Sequence, residues 1–170
     1  MIFGMSTSTF TLVHVLLSLV GILAGFVVLF GMLSRKRVPG WTALFLATTV
    51  VTSVTGFFFP RDHILPSHIV GVLSLVVLAV AIFALYSRHV AGAWRWIYVV
   101  AAVVAFYLNV FVGVVQSFLK VPMLTALAPT QSEPPFLIAQ LVVLALFVAF
   151  GIAAVRSFHP QAGAPALSAA

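Results

Sequence analysis

The side chains best suited to chemistry in this sequence are two histidines and two glutamines inside long apolar runs. His14 and His68 each lie near the start of such a run, Gln116 lies near the end of another, and Gln140 lies near the start of the last. Neutral imidazole is an axial ligand of haem iron and a common metal ligand. Polar side chains within membrane segments are costly, and they mark functional sites by default. These four residues are therefore the first candidates for a site.

The sharpest hypothesis is a b-type haem held by His14 and His68, because helix bundles build cofactor sites from residues on facing helices. Arg61 and Lys120 are then expected to pair with the haem propionates at the surface. Such a site would transfer electrons, with a quinone as its partner. Further polar candidates around it are Gln116, Gln140 and the deeper Asn109.

Three other readings remain open. His14, His63 and His68 could bind copper or zinc, with Asp62 as an oxygen donor. A quinone or a lipid head group could be held by His14 together with the two glutamines. The protein could also be a non-catalytic accessory or assembly subunit of a larger membrane complex, in which polar residues serve only to join helices.

Several classes of function lack their usual residues. The chain contains no cysteine, which excludes thiolate metal sites, cysteine nucleophiles and covalently attached haem. Its two carboxylates, Asp62 and Glu133, both fall outside the apolar runs, so a proton relay through the membrane lacks its usual carrier. No hydrolase or phosphate-binding motif is present. The net charge of +6 does not indicate nucleic-acid binding, because the basic residues lie in short connections between apolar runs.

The elements that must position these residues are membrane-spanning helices. Hydrophobic residues make up 64% of the 170 residues and charged residues only 6%, so most of the surface must face lipid. The predicted fold is an all-α bundle of five transmembrane helices, forming a single domain over residues 1–159, with a disordered tail at 160–170. The predicted spans are 10–33, 41–59, 66–86, 96–119 and 136–155.

The placement of basic residues predicts which end of the bundle is cytoplasmic. Six of the eight lysines and arginines follow span one, bracket the connection after span three or close span five. Under the positive-inside rule this end is cytoplasmic, which puts the N-terminus outside and the C-terminus inside. His14, His68, Gln116 and Gln140 then lie roughly 3–6 Å inside the outer boundary, at about 1.5 Å per helical residue.

Helical spacing also predicts which faces turn inward. Thr11, His14, Ser18, Gly21 and Gly25 share one face of span one, and Asn109, Gly113, Gln116 and Lys120 share one face of span four. Small and polar residues at such intervals are typical of surfaces where membrane helices pack together. Similar intervals occur in span three (His68, Gly71, Leu75) and span five (Gln140, Leu144, Phe147, Gly151), and we expect all of these faces to form the packed bundle core.

Three stretches carry a resemblance to known proteins: GWTALFLATTVVTSVTGFFFP (40–60), LPSHIVG (65–71) and LAPTQSEPPF (127–136). In these the chain resembles a group of small bacterial inner-membrane proteins with no assigned activity, and the similarity covers nearly the whole chain. The resemblance implies location in a bacterial inner membrane. It carries over no functional residue.

Overall fold

The protein was analysed as a computed structural model, which describes residue 2, residues 4–59 and residues 66–159. Arg61, Asp62, His63 and the tail at 160–170 lie outside these described residues. Six α-helices are present: α1 Thr7–Leu33, α2 Pro39–Thr55, α3 Pro66–Ile82, α4 Trp94–Lys120, α5 Pro122–Leu127 and α6 Pro134–Ser157. A 3-10 turn at Gly56–Phe58 extends α2, and a π-helical turn at Phe83–Ser87 extends α3.

Five helical segments are long and apolar enough to cross a membrane: Thr7–Leu33, Pro39–Phe58, Ser67–Ser87, Trp94–Lys120 and Pro134–Ser157. Within the described residues, these segments confirm the all-helical class and five helices of membrane length at the expected places, and they indicate a multi-pass membrane protein. The observed ends differ from the predicted ones by a few residues. The last helix, for example, begins at Pro134 rather than 136, because proline is well tolerated in the first helical turn.

The short helix α5 lies between spans four and five and has no counterpart among the predicted spans. Proline at the first position of α5 starts the helix at residue 122, after Val121 has left α4 in an extended conformation. The hydroxyl of Thr125 donates to the carbonyl oxygen of Phe118 at 2.7 Å, which folds α5 back on the end of α4. The connection after α4 therefore has a defined structure.

Helix α4 is the central helix of the bundle. It packs against α1, α3 and α6, whereas α2 packs against α1 and α3. In an apolar 18-residue stretch of α4, 50% of the residues are buried, compared with 11–28% in the corresponding stretches of the other four spans. Gly25 allows α1 to approach α4 closely, since a Cβ at this position would lie 2.5 Å from Cδ2 of Phe106. Gly25, on the predicted inward face of span one, thus faces the bundle core.

One end of the bundle is rich in basic residues, and hydrogen bonds there close the ends of α1 and α6. Arg35, with φ of 59°, follows the end of α1, and the amide of Lys36 donates to the carbonyl of Gly31 at 2.8 Å. This left-handed residue and six-residue hydrogen bond form a Schellman ending. At the same end, the Arg95 guanidinium donates to the carbonyl oxygens of Val155 and Phe158 at 2.8 and 2.7 Å. Arg95 at the start of α4 therefore caps the end of α6.

Candidate functional site

His14 is held in a fixed orientation by the end of α2. Its Nδ1 lies 2.8 Å from the hydroxyl oxygen of Thr55. That hydroxyl donates its own hydrogen to the carbonyl of Val51 at 2.7 Å, with a second, longer contact to the carbonyl of Thr52 at 3.1 Å. With its single hydrogen on the Val51 carbonyl, the Thr55 hydroxyl accepts from the Nδ1–H of His14. This network assigns the tautomer in which Nε2 carries the lone pair.

The surroundings of His14 are largely aromatic. The ring of Phe59 meets the imidazole edge-on at a centroid distance of 5.1 Å, and Phe10 packs against Phe59 at the same distance. Gly56 lies beside the imidazole, because a Cβ built there would be 3.8 Å from Cε1. Among the described residues no hydrogen bond reaches Nε2. The site therefore presents one oriented, half-buried imidazole whose remaining nitrogen can accept a metal or a proton.

His68 lies against a different residue of the same stretch of chain. Its ring stacks on Phe57, with centroids 5.7 Å apart and planes 24° from parallel. Gly71 leaves room for that phenylalanine, since a Cβ there would be 3.0 Å from its Cζ. His14 instead contacts Thr55 and Phe59. Residues 55–59 thus connect the two histidines, and no contact within the described residues joins the imidazoles directly.

The metal hypothesis requires His63, which lies outside the described residues together with Arg61 and Asp62. Within the described part of the chain, no group of three histidines or carboxylates is close enough to hold a metal ion. The three-histidine set therefore stays a prediction.

Two residues expected on the inward face of α4 do not lie there. Gln116 and Lys120 are exposed, whereas Asn109 on the same predicted face is buried. Near the C-terminal end of α4 the covered side is that of Phe118, which is buried and packs edge-on against Phe136 of α6 at 5.3 Å. The amide of Gln131 also donates to the carbonyl of Val115 at 2.9 Å. The connection that folds over this end therefore covers other positions of the helix and leaves Gln116 and Lys120 outside.

Gln140 is buried between α6 and α4. Its Nε2 donates to the carbonyl oxygen of Phe111 at 3.3 Å, and its Oε1 has no partner among the described residues. The described contacts of its side chain are thus with the α4 backbone and not with His14.

Asn109 belongs to a separate, deeper polar cluster. The Ser18 hydroxyl donates to Oδ1 of Asn109 at 3.0 Å, and Nδ2 of Asn109 has no partner among the described residues. A Cβ at Gly21 would lie 3.1 Å from Nδ2 and 3.1 Å from the hydroxyl oxygen of Thr48. Ser18 is one helical turn further along α1 than His14, about 6 Å deeper. The sequence pattern brought Ser18 and Asn109 to one interface correctly, but this cluster lies apart from His14.

The Glu133 carboxylate is hydrogen-bonded within the connection between α5 and α6. Its carboxylate accepts from the backbone amide and hydroxyl of Thr130, at 3.1 and 2.8 Å, and from the amide of Ser132 at 3.1 Å. Slight desolvation raises the pKa of Glu133, but these hydrogen bonds outweigh it and hold the pKa below its ordinary value. The carboxylate is thus charged at neutral pH, and its hydrogen bonds stabilise the conformation of this loop.

Sequence reasoning missed one contact that positions His14 and one that joins α2 to α3. Phe59 packs on His14, and the hydroxyl of Ser53 donates to that of Ser74 at 3.0 Å, joining α2 to α3. A hint of the second contact was available, since α2 is rich in hydroxyl residues. No protein-family model, curated protein or solved structure matches the chain, so the argument for function rests on this geometry.

Proposed function

We propose that this protein is a multi-pass protein of the bacterial inner membrane that binds a b-type haem near its outer end and transfers electrons to or from quinone. The single observation that carries the proposal is the hydrogen bond between Nδ1 of His14 and Thr55. Histidines that ligate metals almost always donate their other ring hydrogen to an oxygen atom, which fixes both tautomer and ring plane. His14 already has this arrangement.

The residues around His14 fit an axial-ligand role. His14 would hold the iron through Nε2, while Phe10 and Phe59 keep water from that side of the imidazole. His68, the other histidine packed against residues 55–59, is the candidate for a second ligand to the iron. Lys120 is exposed and can pair with a propionate at the surface, a role that Arg61 would share. A bound haem would supply one-electron transfer.

The decisive test is the absorption spectrum of the full chain, purified from cells grown with ample haem. We expect a Soret band in the native protein that His14→Ala abolishes. His68→Ala is expected to leave five-coordinate haem bound more weakly. His159→Ala changes a histidine beyond the end of α6 and is the matched control, which should leave the spectrum unchanged.

Two outcomes would overturn the proposal. One is a colourless native protein that also fails to bind haem added in detergent. The other is a His14→Ala protein that keeps the full spectrum while remaining folded by circular dichroism. Extraction and identification of any bound quinone from the same colourless sample would then test the ligand alternative.

A further inference from the structure

An apolar groove of about 350 Å³ runs along the outside of the bundle between α4 and α6. Its α4 wall extends from Val100 to Tyr107, and its α6 wall extends from Leu144 to Arg156. This volume falls within the range of ligand pockets in proteins, at the small end. The groove lies away from His14 and plays no part in the proposed haem site.

The length of the groove matches one leaflet of a membrane. Twelve residues separate Leu144 from Arg156, which is about 18 Å of helix. The hydrocarbon core of one leaflet is about 15 Å deep, half of the full thickness. The absent side chain at Gly151 helps to form the groove, where a Cβ would sit 3.4 Å from Cγ1 of Val103. The α4 wall, from Val100 to Tyr107, covers about 10 Å of this length, so part of one acyl chain can lie between the two helices.

The charge at the mouth of the groove specifies the head group. Arg156 is exposed in the last turn of α6, and no hydrogen bond or ion pair occupies its guanidinium among the described residues. The chain has only two carboxylates, Glu133 before the other end of α6 and Asp62 in the connection between α2 and α3. Among the described residues, no carboxylate lies at this end of the bundle. Guanidinium groups bind phosphate in a bidentate manner, and basic residues attract anionic lipids.

We propose that this groove binds an anionic phospholipid, with one acyl chain lying between α4 and α6 and its phosphate on Arg156. The inference is independent of the haem proposal. The proposed occupant is a lipid because the mouth of the groove is cationic and its apolar α6 wall is about as long as one leaflet is deep. A helix of a second copy is the competing occupant that the experiment must separate.

Trp96 offers a local reporter, because it lies one turn before Val100 on the groove face of α4 and is 48% exposed. Replacing Trp41 and Trp94 by phenylalanine leaves it as the only tryptophan of the three. The full chain is reconstituted in vesicles containing brominated phosphatidylglycerol or brominated phosphatidylcholine. We expect the brominated anionic lipid to quench Trp96 at lower mole fraction, by about fivefold in relative affinity.

Two pairs of variants test the residues that form the groove. Arg156→Gln should abolish the preference for anionic lipid, while Lys36→Gln, a basic residue at the same end but outside the groove, should keep it. Gly151→Leu should fill the groove and reduce quenching by both lipids. Ala149→Leu adds the same side chain at an exposed position on α6 and should have no effect.

Three results would overturn the proposal. The first is an unchanged anionic preference in Arg156→Gln. The second is an equal loss of the anionic preference in Lys36→Gln, which would show that the preference comes from the total charge of the basic end of the bundle. The third is protection of Trp96 from both lipids that increases with protein density in the vesicle, which would assign the groove to a second copy. Circular dichroism of each variant establishes that it is folded.

Discussion

At the scale of single residues, Thr55 illustrates how a helix end can determine the chemistry of a neighbouring helix. Its hydroxyl satisfies a carbonyl of its own helix, as threonine commonly does within helices. With the hydrogen used in this way, the oxygen accepts from Nδ1–H of His14. A residue that would otherwise be a packing detail thus determines which imidazole nitrogen is free.

Replacing Thr55 tests this role and rests on the proposed haem site. Thr55→Val keeps the shape but removes the acceptor, so we expect haem affinity to fall about 10–100-fold, as for other partners of metal-ligating histidines. Thr55→Ser retains the oxygen and should rescue most of the affinity. Haem titration monitored at the Soret band measures both. Equal affinity in the valine and native proteins would show that the hydrogen bond does not orient a ligand.

At the scale of elements, the ends of the helices are held by side chains of their neighbours. Arg95 is the clearest case, because it lies in the first turn of α4 and donates to two carbonyls at the end of α6. A cation in the first turn is unfavourable for its own helix dipole, but it is favourable at the C-terminal end of another. The arginine therefore joins two antiparallel helices where their chains leave the apolar region.

We expect Arg95→Met to loosen the last turn of α6. Two charged hydrogen bonds would be lost, each contributing about 1.5–3 kcal/mol to the closed state at most, and the carbonyls would turn to water. Amide exchange over residues 155–159 should accelerate at least tenfold in detergent micelles, as followed by mass spectrometry. Arg88→Met is the control, since Arg88 lies over the ring of Trp94 and does not cap α6. Equal acceleration in both variants would contradict a specific cap.

At the scale of the whole molecule, the bundle has a basic end and an end that carries the histidines. If the basic end is cytoplasmic, as the positive-inside rule predicts, the proposed haem and its quinone partner lie toward the outside. The absence of native cysteine makes this easy to test. We expect Thr130→Cys to react with a membrane-impermeant maleimide in intact cells and Ser34→Cys to react only after lysis. The reverse labelling pattern would invert the topology.

The five helices of membrane length could be predicted from the sequence, because long uninterrupted apolar runs form helices in lipid, whereas the short α5 could not. The contact of α1 with α4 was also predictable, since Gly21, Gly25 and Asn109 leave a periodic pattern. The exposure of Gln116 was not, because it depends on how α5 folds back and on contacts made by Gln131. The Nδ1 contact of His14 with Thr55 likewise depends on how α2 and α1 cross, which periodicity within one helix does not specify.

The hydrogen bond between Ser18 and Asn109 has a consequence for the order of assembly during synthesis. Its two residues are 91 positions apart, whereas His14 and Thr55 are separated by 41. At a translation rate of about 5–20 residues per second, His14 gains its partner after roughly 2–8 s and Ser18 after roughly 5–18 s. Until Asn109 has been synthesised, the Ser18 hydroxyl must bond its own helix or a lipid head group. We therefore expect α1 and α2 to pair first and to provide the surface against which α4 later packs.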